Sequence, residues 1–270
     1  MQFYPSKPLA PYISHYLIIE RETQENSLLR FFPDGHSGMI FHFGDTFKEQ
    51  SAYSDQISQH PQSLVYGQVS QHFNLIAGKK ISMLIVVFRP YGLAMFTSVA
   101  AKELTNSIIS LTDIFGREAE SLSEQVMFGK GHVGRIKLIE HWLLKRIIRK
   151  PGELLLVQAC IDQSDRENGQ LSVKQLSGQF SVSERTIERA FDVMVGISPK
   201  KYGRVIRLQH YLKLRKLNPA LTLTSLSYDA GYYDQAHFIH EFSSLTGLTP
   251  KQYAANNNRL AVNLMWISKA

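Results

Sequence analysis

The sequence lacks most of the features that mark secreted, membrane-bound or catalytic chains. It holds one cysteine in 270 residues, Cys160, so no disulfide can form within the chain and a reducing compartment suits it. Its strongest apolar run, Ile81–Phe88, is too short to cross a bilayer. Met1–Pro11 contains three prolines and no apolar stretch of the kind a signal peptide needs. The expectation is a soluble, cytoplasmic protein with no membrane partner. There is no phosphate-binding glycine loop, nucleotide fingerprint or Ser/His/Asp constellation, so neither catalysis nor a cofactor is expected. His15, His36, His42, His60 and His72 are scattered along the front without the helical spacing of metal ligands, and no metal site is expected. Asp34 and Arg89 stand beside glycine or proline in turn sequences, where structural roles are expected. Cys160 lies on an apolar stretch and is expected to be buried.

Apolar residues make up 44% and charged residues 20%, the composition of a globular chain. The length suggests two domains. The net charge of +7 is unevenly spread: −3 over residues 1–129, +6 over 130–150 and +4 over 151–270. An acidic front and a basic back point to a polyanionic partner for the back half.

The front reads as β-structure. Tyr16–Glu20, Leu28–Phe32, Gly38–Phe43, Leu64–Tyr66 and Ile81–Phe88 are short β-branched or aromatic runs separated by turn sequences such as Pro33-Asp34-Gly35. Such spacing favours a barrel or sandwich. After Arg89-Pro90-Tyr91-Gly92 the periodicity becomes helical over Leu93–Ala101, Leu111–Phe115, Glu120–Phe128 and Val133–Ile148. The last carries a stripe of Ile136, Ile139, Leu143 and Ile147, which suits either a core or a dimer helix. Pro151-Gly152 breaks it. Leu171 to Tyr253 reads as helices alone. The tail, with turn-like Asn256-Asn257-Asn258, ends in Leu264, Met265, Trp266 and Ile267, which suit packing back onto the body.

The back half contains a repeat. Gly196-Ile197-Ser198-Pro199-Lys200-Lys201-Tyr202 matches Gly247-Leu248-Thr249-Pro250-Lys251-Gln252-Tyr253, and the same offset pairs Phe191 with Phe242, Ile187 with Phe238 and Ser183 with Asp234. Each copy reads as a helix–turn–helix. The first has helices over Val173–Gln179 and from the cap Ser183 to about Val195. The second has helices over Leu223–Asp229 and from the cap Asp234 onward. Gly231 permits a left-handed turn. After each second helix, glycine followed by Ser/Thr-Pro ends one helix and starts the next. The helix from Pro199 to about Lys216 joins the copies; at 1.5 Å per residue it is about 27 Å long. Two readers so spaced suit successive major grooves, roughly 34 Å apart. Over 171–253, eleven Lys/Arg stand against six acids, the charge balance of a nucleic-acid-binding module.

These residues resemble a known family. Ser183-Glu184-Arg185-Thr186-Ile187-Glu188-Arg189-Ala190-Phe191 and Gly231-Tyr232-Tyr233-Asp234-Gln235-Ala236-His237-Phe238-Ile239-His240-Glu241-Phe242 are similar to the two readers of the AraC/XylS DNA-binding module, over about 153–255. The resemblance implies a bacterial transcription regulator that binds double-stranded DNA. By position, Arg185, Glu188 and Arg189 face bases from the first reader, and Gln235, Ala236, Ile239 and His240 from the second. Arginine suits guanine, glutamine adenine and glutamate cytosine. Lys200, Lys201, Arg204, Arg207 and Lys251 are assigned to phosphates. His240 stands where the family has arginine, Ser177 and Ser227 where it favours alanine, and Ser181 replaces a turn glycine. Phe32-Pro33-Asp34-Gly35, Tyr66-Gly67-Gln68 and Phe88-Arg89-Pro90-Tyr91-Gly92 resemble an uncharacterised N-terminal domain found ahead of such modules. By analogy it is a cupin-like barrel that binds a small effector, makes a homodimer, or both; RNA polymerase is a further partner the resemblance implies.

The expected architecture is multidomain α+β: a β-barrel sensor or dimerisation domain over 1–100, a helical connector over 101–150, an all-α double helix–turn–helix over 151–255 and a tail over 256–270. Two alternatives stand beside the regulator: a small-molecule enzyme fused to a DNA reader, and an effector-independent architectural DNA binder.

Overall fold

The structure, a computed structural model, describes residues 1–50, 57–256, 259–261 and 263–267. The chain opens with strands β1 (Gln2–Phe3), β2 (Ile13–Glu22), β3 (Ser27–Phe31), β4 (Gly38–His42), β5 (Lys48–Gln50), β6 (Ile57–Gln59), β7 (Ser63–Tyr66), β8 (Phe73–Ala77) and β9 (Lys80–Phe88). Two short 3-10 turns, Leu93–Met95 and Ala101–Leu104, lead to β10 (Ile108–Ser110). Helices α1 (Leu111–Phe115), α2 (Arg117–Phe128) and α3 (Gly131–Leu144) follow. Then come α4 (Leu155–Arg166), α5 (Val173–Phe180), α6 (Glu184–Met194), α7 (Pro199–Leu217), α8 (Leu223–Asp229), α9 (Gln235–Thr246) and α10 (Pro250–Ala255), and last β11 (Arg259–Ala261) and β12 (Leu264–Trp266).

The strand-rich front and the helical back are as the sequence predicts, but the strands do not close into a barrel. Among the described residues they form two antiparallel six-stranded sheets, ordered β1-β2-β9-β4-β7-β10 and β11-β12-β3-β8-β5-β6. Closure would need pairing between the sheets. Instead the outer edge of β2 is taken by β1, and that of β3 by β12 from the far end of the chain. The tail therefore does return to the body, as a strand; Asn257 and Asn258, read as part of a turn, lie outside the described residues.

β9 sits between β2 and β4 and is buried from Ile81 to Phe88, which explains its unbroken apolar sequence. β2 alternates instead. Tyr16 and Ile18 enter one apolar cluster, and Leu17 and Ile19 the other, which lies between the sheets. The first cluster continues from the front sheet through Ile136, Ile139 and Leu143 of α3 and Cys160 of α4 to Ile187 and Phe191 of the first reader. Ile147, the fourth member of the α3 stripe, is exposed. The helix stops at Leu144 because the next residues turn back: the Ile148 amide donates to Met95 O at 3.0 Å. The helix expected over Leu93–Ala101 is replaced by the 3-10 turns. Leu93, Ala94, Met95 and Phe96 are all buried, so the segment has no solvent side for an amphipathic helix to present.

Candidate nucleic-acid interface

Each helix–turn–helix unit is built by caps and a turn. In the first, Ser172 and Gln175 form a capping box on α5. Ser181 takes a left-handed backbone, φ +54, and Ser183 caps α6 by accepting from the Thr186 amide. In the second, Thr222 caps α8, Gly231 supplies the left-handed turn at φ +84, and Asp234 accepts from the His237 amide at 2.7 Å to cap α9. Ser177 Oγ donates to Val182 O across the first turn, and buried Ser227 donates to Thr224 O; serine at these two positions is satisfied locally.

The reader helices turn one face inward and one out. α6 buries Ile187 and Phe191, while Arg185, Glu188 and Arg189 are exposed. α9 buries Phe238, Phe242 and Leu245, while Gln235, Ala236, Ile239 and His240 are exposed. All seven residues assigned to bases thus lie on open surface, in two groups of three- and four-residue spacing. α7 connects the groups. It spans 19 residues, about 28 Å, with Tyr202, Val205, Leu208, Tyr211 and Leu212 buried beneath it. Tyr202 Oη donates to Asp165 at 2.8 Å and pins α7 to α4. Burial and the neighbouring carboxylates hold that phenol well above its ordinary range.

Lys200, Lys201 and Lys251 are exposed at the first turns of α7 and α10, beside backbone amides of a kind that suits anions. Arg204 and Arg207, assigned likewise to phosphates, also have partners within the chain. Arg204 Nε donates to Glu241 Oε2 at 2.9 Å, and Arg207 lies 3.8 Å from the other carboxylate oxygen. Arg207 also donates to Gly169 O at 3.0 Å, and its guanidinium lies over the Tyr232 ring. Glu241 is buried, and with no DNA present these arginines join α7 to α9. The sequence shows the parts, two arginines three apart on one helix and an acid amid the inward aromatics of another, but not their pairing.

A second site was not foreseen. A cavity of about 640 Å³ lies between the front sheets and α7. Leu17, Ile19, Ile85 and Val87 form an apolar floor, and Tyr202, Ile206, Gln209 and His210 come from α7. Its polar wall holds Asp34, His15 and His36. Burial pushes the Asp34 carboxyl up against the opposing pull of His36, and burial lowers His15. Asp34 accepts from the His36 amide at 3.0 Å and from Asn263 Nδ2 at 2.8 Å, and Arg89 Nε donates to Ala10 O at 3.0 Å. Both residues of the turn motifs therefore hold backbone or tail. Among the described residues, no three His, Cys, Asp or Glu side chains converge as a metal site would require. No helix among them is long and apolar enough to cross a membrane.

Comparison with known proteins agrees with this geometry. Residues 176–256 match a helix-turn-helix domain family, and residues 1–110 match a domain of unknown function (DUF6597). An uncharacterized HTH-type transcriptional regulator of Haemophilus influenzae is 25% identical over 152 residues, 53% of this chain and 50% of that protein. The chain thus spans about half the length of the curated relative it matches. The 1.65 Å structure of ToxT from Vibrio cholerae has a TM-score of 0.52 at 11% identity, covering 88% of this chain and 97% of that one. Unsaturated fatty acid bound wild-type ToxT from Vibrio cholerae strain SCE256 has a TM-score of 0.51 at 11% identity, covering 88% and 94%. At these identities the likeness to ToxT is one of fold. With its two capped reader helices joined by α7, the C-terminal region of this chain is an AraC-type helix–turn–helix DNA-binding domain, carried behind a strand-rich N-terminal domain.

Proposed function

We propose that this protein is a sequence-specific transcription regulator whose α6 and α9 enter successive major grooves on one face of double-stranded DNA. One observation carries the reading: seven exposed side chains of base-reading type stand on two capped helices joined by a helix of 19 residues. Arg185, Glu188 and Arg189 read the first block, and Gln235, Ala236, Ile239 and His240 the second. Lys200, Lys201 and Lys251 neutralise phosphates. Residues 1–100 act as the sensing domain and 101–150 as its connector. A small molecule enters the cavity against α7 and biases the two readers. The fatty acid bound by ToxT supports the idea of an effector in such a fold. Pairing of two copies through the front domain and contact with RNA polymerase complete this reading, which includes no chemical turnover.

The test is selection of bound sequences from random duplex DNA, with wild type and Arg185→Ala/Arg189→Ala in parallel. The expected motif has two short blocks about one helical turn apart, and the variant loses one block while keeping the other. Binding without any enriched motif, weakening only with salt, would sink the sequence-specific reading in favour of an architectural binder.

A further inference from the structure

Each reader helix ends in a glycine with left-handed backbone: Gly196 after α6, φ +99, and Gly247 after α9, φ +66. They are equivalent positions of the repeat. As helix terminators they need only that backbone. The structure adds a second demand, because both are gripped from the front half of the chain. Thr105 Oγ1 donates to Gly196 O at 2.7 Å, and Arg30 Nη1 donates to Gly247 O, also at 2.7 Å. A Cβ on either glycine would meet these same side chains, at 2.7 Å from Thr105 Oγ1 and 2.6 Å from Arg30 Nη1. Arg30 is itself oriented by Asn74, which accepts from its Nε at 3.0 Å.

Further contacts reinforce each grip. On the first unit, Lys102 pairs with Asp192 of α6 at 2.7 Å. On the second, β12 lies along β3, Phe31 opposite Leu264 and Arg30 opposite Met265. Asn263 O accepts from the Phe32 amide. Met265 and Phe32 are fully buried in the apolar cluster of the second unit, with Phe242 and Tyr253. A front-domain side chain and a tail side chain thus complete the core beneath the second reader.

We infer that Thr105 and Arg30 are positioning residues for DNA recognition: the front half holds both readers by their C-terminal ends and thereby fixes the distance between the two DNA blocks. The connecting helix α7 packs on both units, Tyr202 against Phe191 and Tyr211 against Phe238 and Phe242, and the two grips add a second tie at the C-terminal end of each reader. One grip comes from β3 and the other from the turn that leads into β10, so each sheet of the front holds one reader. The residues assigned to bases lie in the N-terminal halves of α6 and α9 and the grips at their C-terminal ends, so this control acts on spacing and leaves the choice of bases to α6 and α9.

The inference rests on the two-groove reading above, and its experiment separates the two. Arg30→Ala and Thr105→Val are made in the full chain, singly and together, and taken through selection from random duplex DNA beside wild type. Wild type yields two blocks at a single spacing. Arg30→Ala retains both blocks, admits several spacings between them, and binds the best wild-type duplex about tenfold more weakly, the worth of one charged hydrogen bond. Its binding to a duplex carrying the first block alone is unchanged. Thr105→Val broadens the spacing in the same way. Should Arg30→Ala fail to fold, Arg30→Lys keeps the charge, loses the two-partner reach and takes its place. Variants with wild-type circular dichroism that select the wild-type spacing at undiminished affinity overturn the inference alone. A wild type that selects no two-block motif overturns the reading beneath it, and this inference with it.

Discussion

His42 and His60 lie with ring centroids 6.4 Å apart, each packed edge-on against Phe47. His42 is 1% exposed, and its Nε2 has no hydrogen-bond partner among the described residues. Burial first, and the charge of His60 second, lower its pKa from 6.5 to about 4. The unfolded chain therefore takes up a proton as pH falls through 6.5, whereas the folded chain does so only near 4. Stability is lost across that window, by about 3 kcal/mol in all, and nothing is lost above it. His42→Phe is expected to reduce the drop in urea midpoint between pH 7 and pH 5. An equal drop in variant and wild type would refute this. Ser181 carries a different cost, since φ +54 disfavours any side chain with a Cβ. Ser181→Gly is expected to stabilise the protein by roughly 0.5–1 kcal/mol, seen as a raised thermal midpoint; a lowered midpoint counts against strain at that turn.

Among the elements, α7 and α9 are joined in part by a carboxylate of α9, Glu241, that two arginines of α7 share. Glu241→Ala leaves Arg204 and Arg207 without it in a half-buried site, and a loss of about 2–3 kcal/mol in urea unfolding is expected. A loss under roughly 0.5 kcal/mol, the range of an ordinary surface change, would mean that the apolar contacts alone hold the helices. The helices of the two reading units were legible in the sequence to within a residue or two, because caps, turn glycines and Ser/Thr-Pro starts are local signals. Strands β2, β3, β4, β7 and β9 were legible because a β-branched or aromatic run between turn sequences is also a local signal. Strands β5, β6, β8 and β12 were not. Phe73–Ala77 has no clean alternation, and Leu264–Trp266 becomes a strand only because β3 offers an edge. Arg204 and Arg207 read as phosphate ligands from their helix alone; the acid that engages them lies 37 and 34 positions on, and only the fold brings it there. The cavity was invisible likewise, since its walls come from β2, β9, α4, α7 and the tail.

At the scale of the whole molecule, no wall between front and back is purely one or the other. The front supplies Phe32 to the second unit's core and Arg30 to the carbonyl of Gly247. The back supplies Gln209 to Pro33 O at 2.8 Å and Asn263 to Asp34. The effector proposed above would touch α7 and the tail together, as both Ile206 and Leu264 line the cavity, and would have two routes to the second unit. The tail strand also has a consequence for how the chain is made. Asp34 and Asn263, which close the contact beside β3, are 229 positions apart. At ordinary rates of synthesis, 5–20 residues per second, the outer edge of β3 waits roughly ten to fifty seconds for its neighbour. Through that interval the nascent front domain presents an unpaired strand of the sort that recruits other chains. A polypeptide that stops short of β12 carries every residue assigned to bases, yet leaves the edge of β3 open and the core beneath the second reader without Met265.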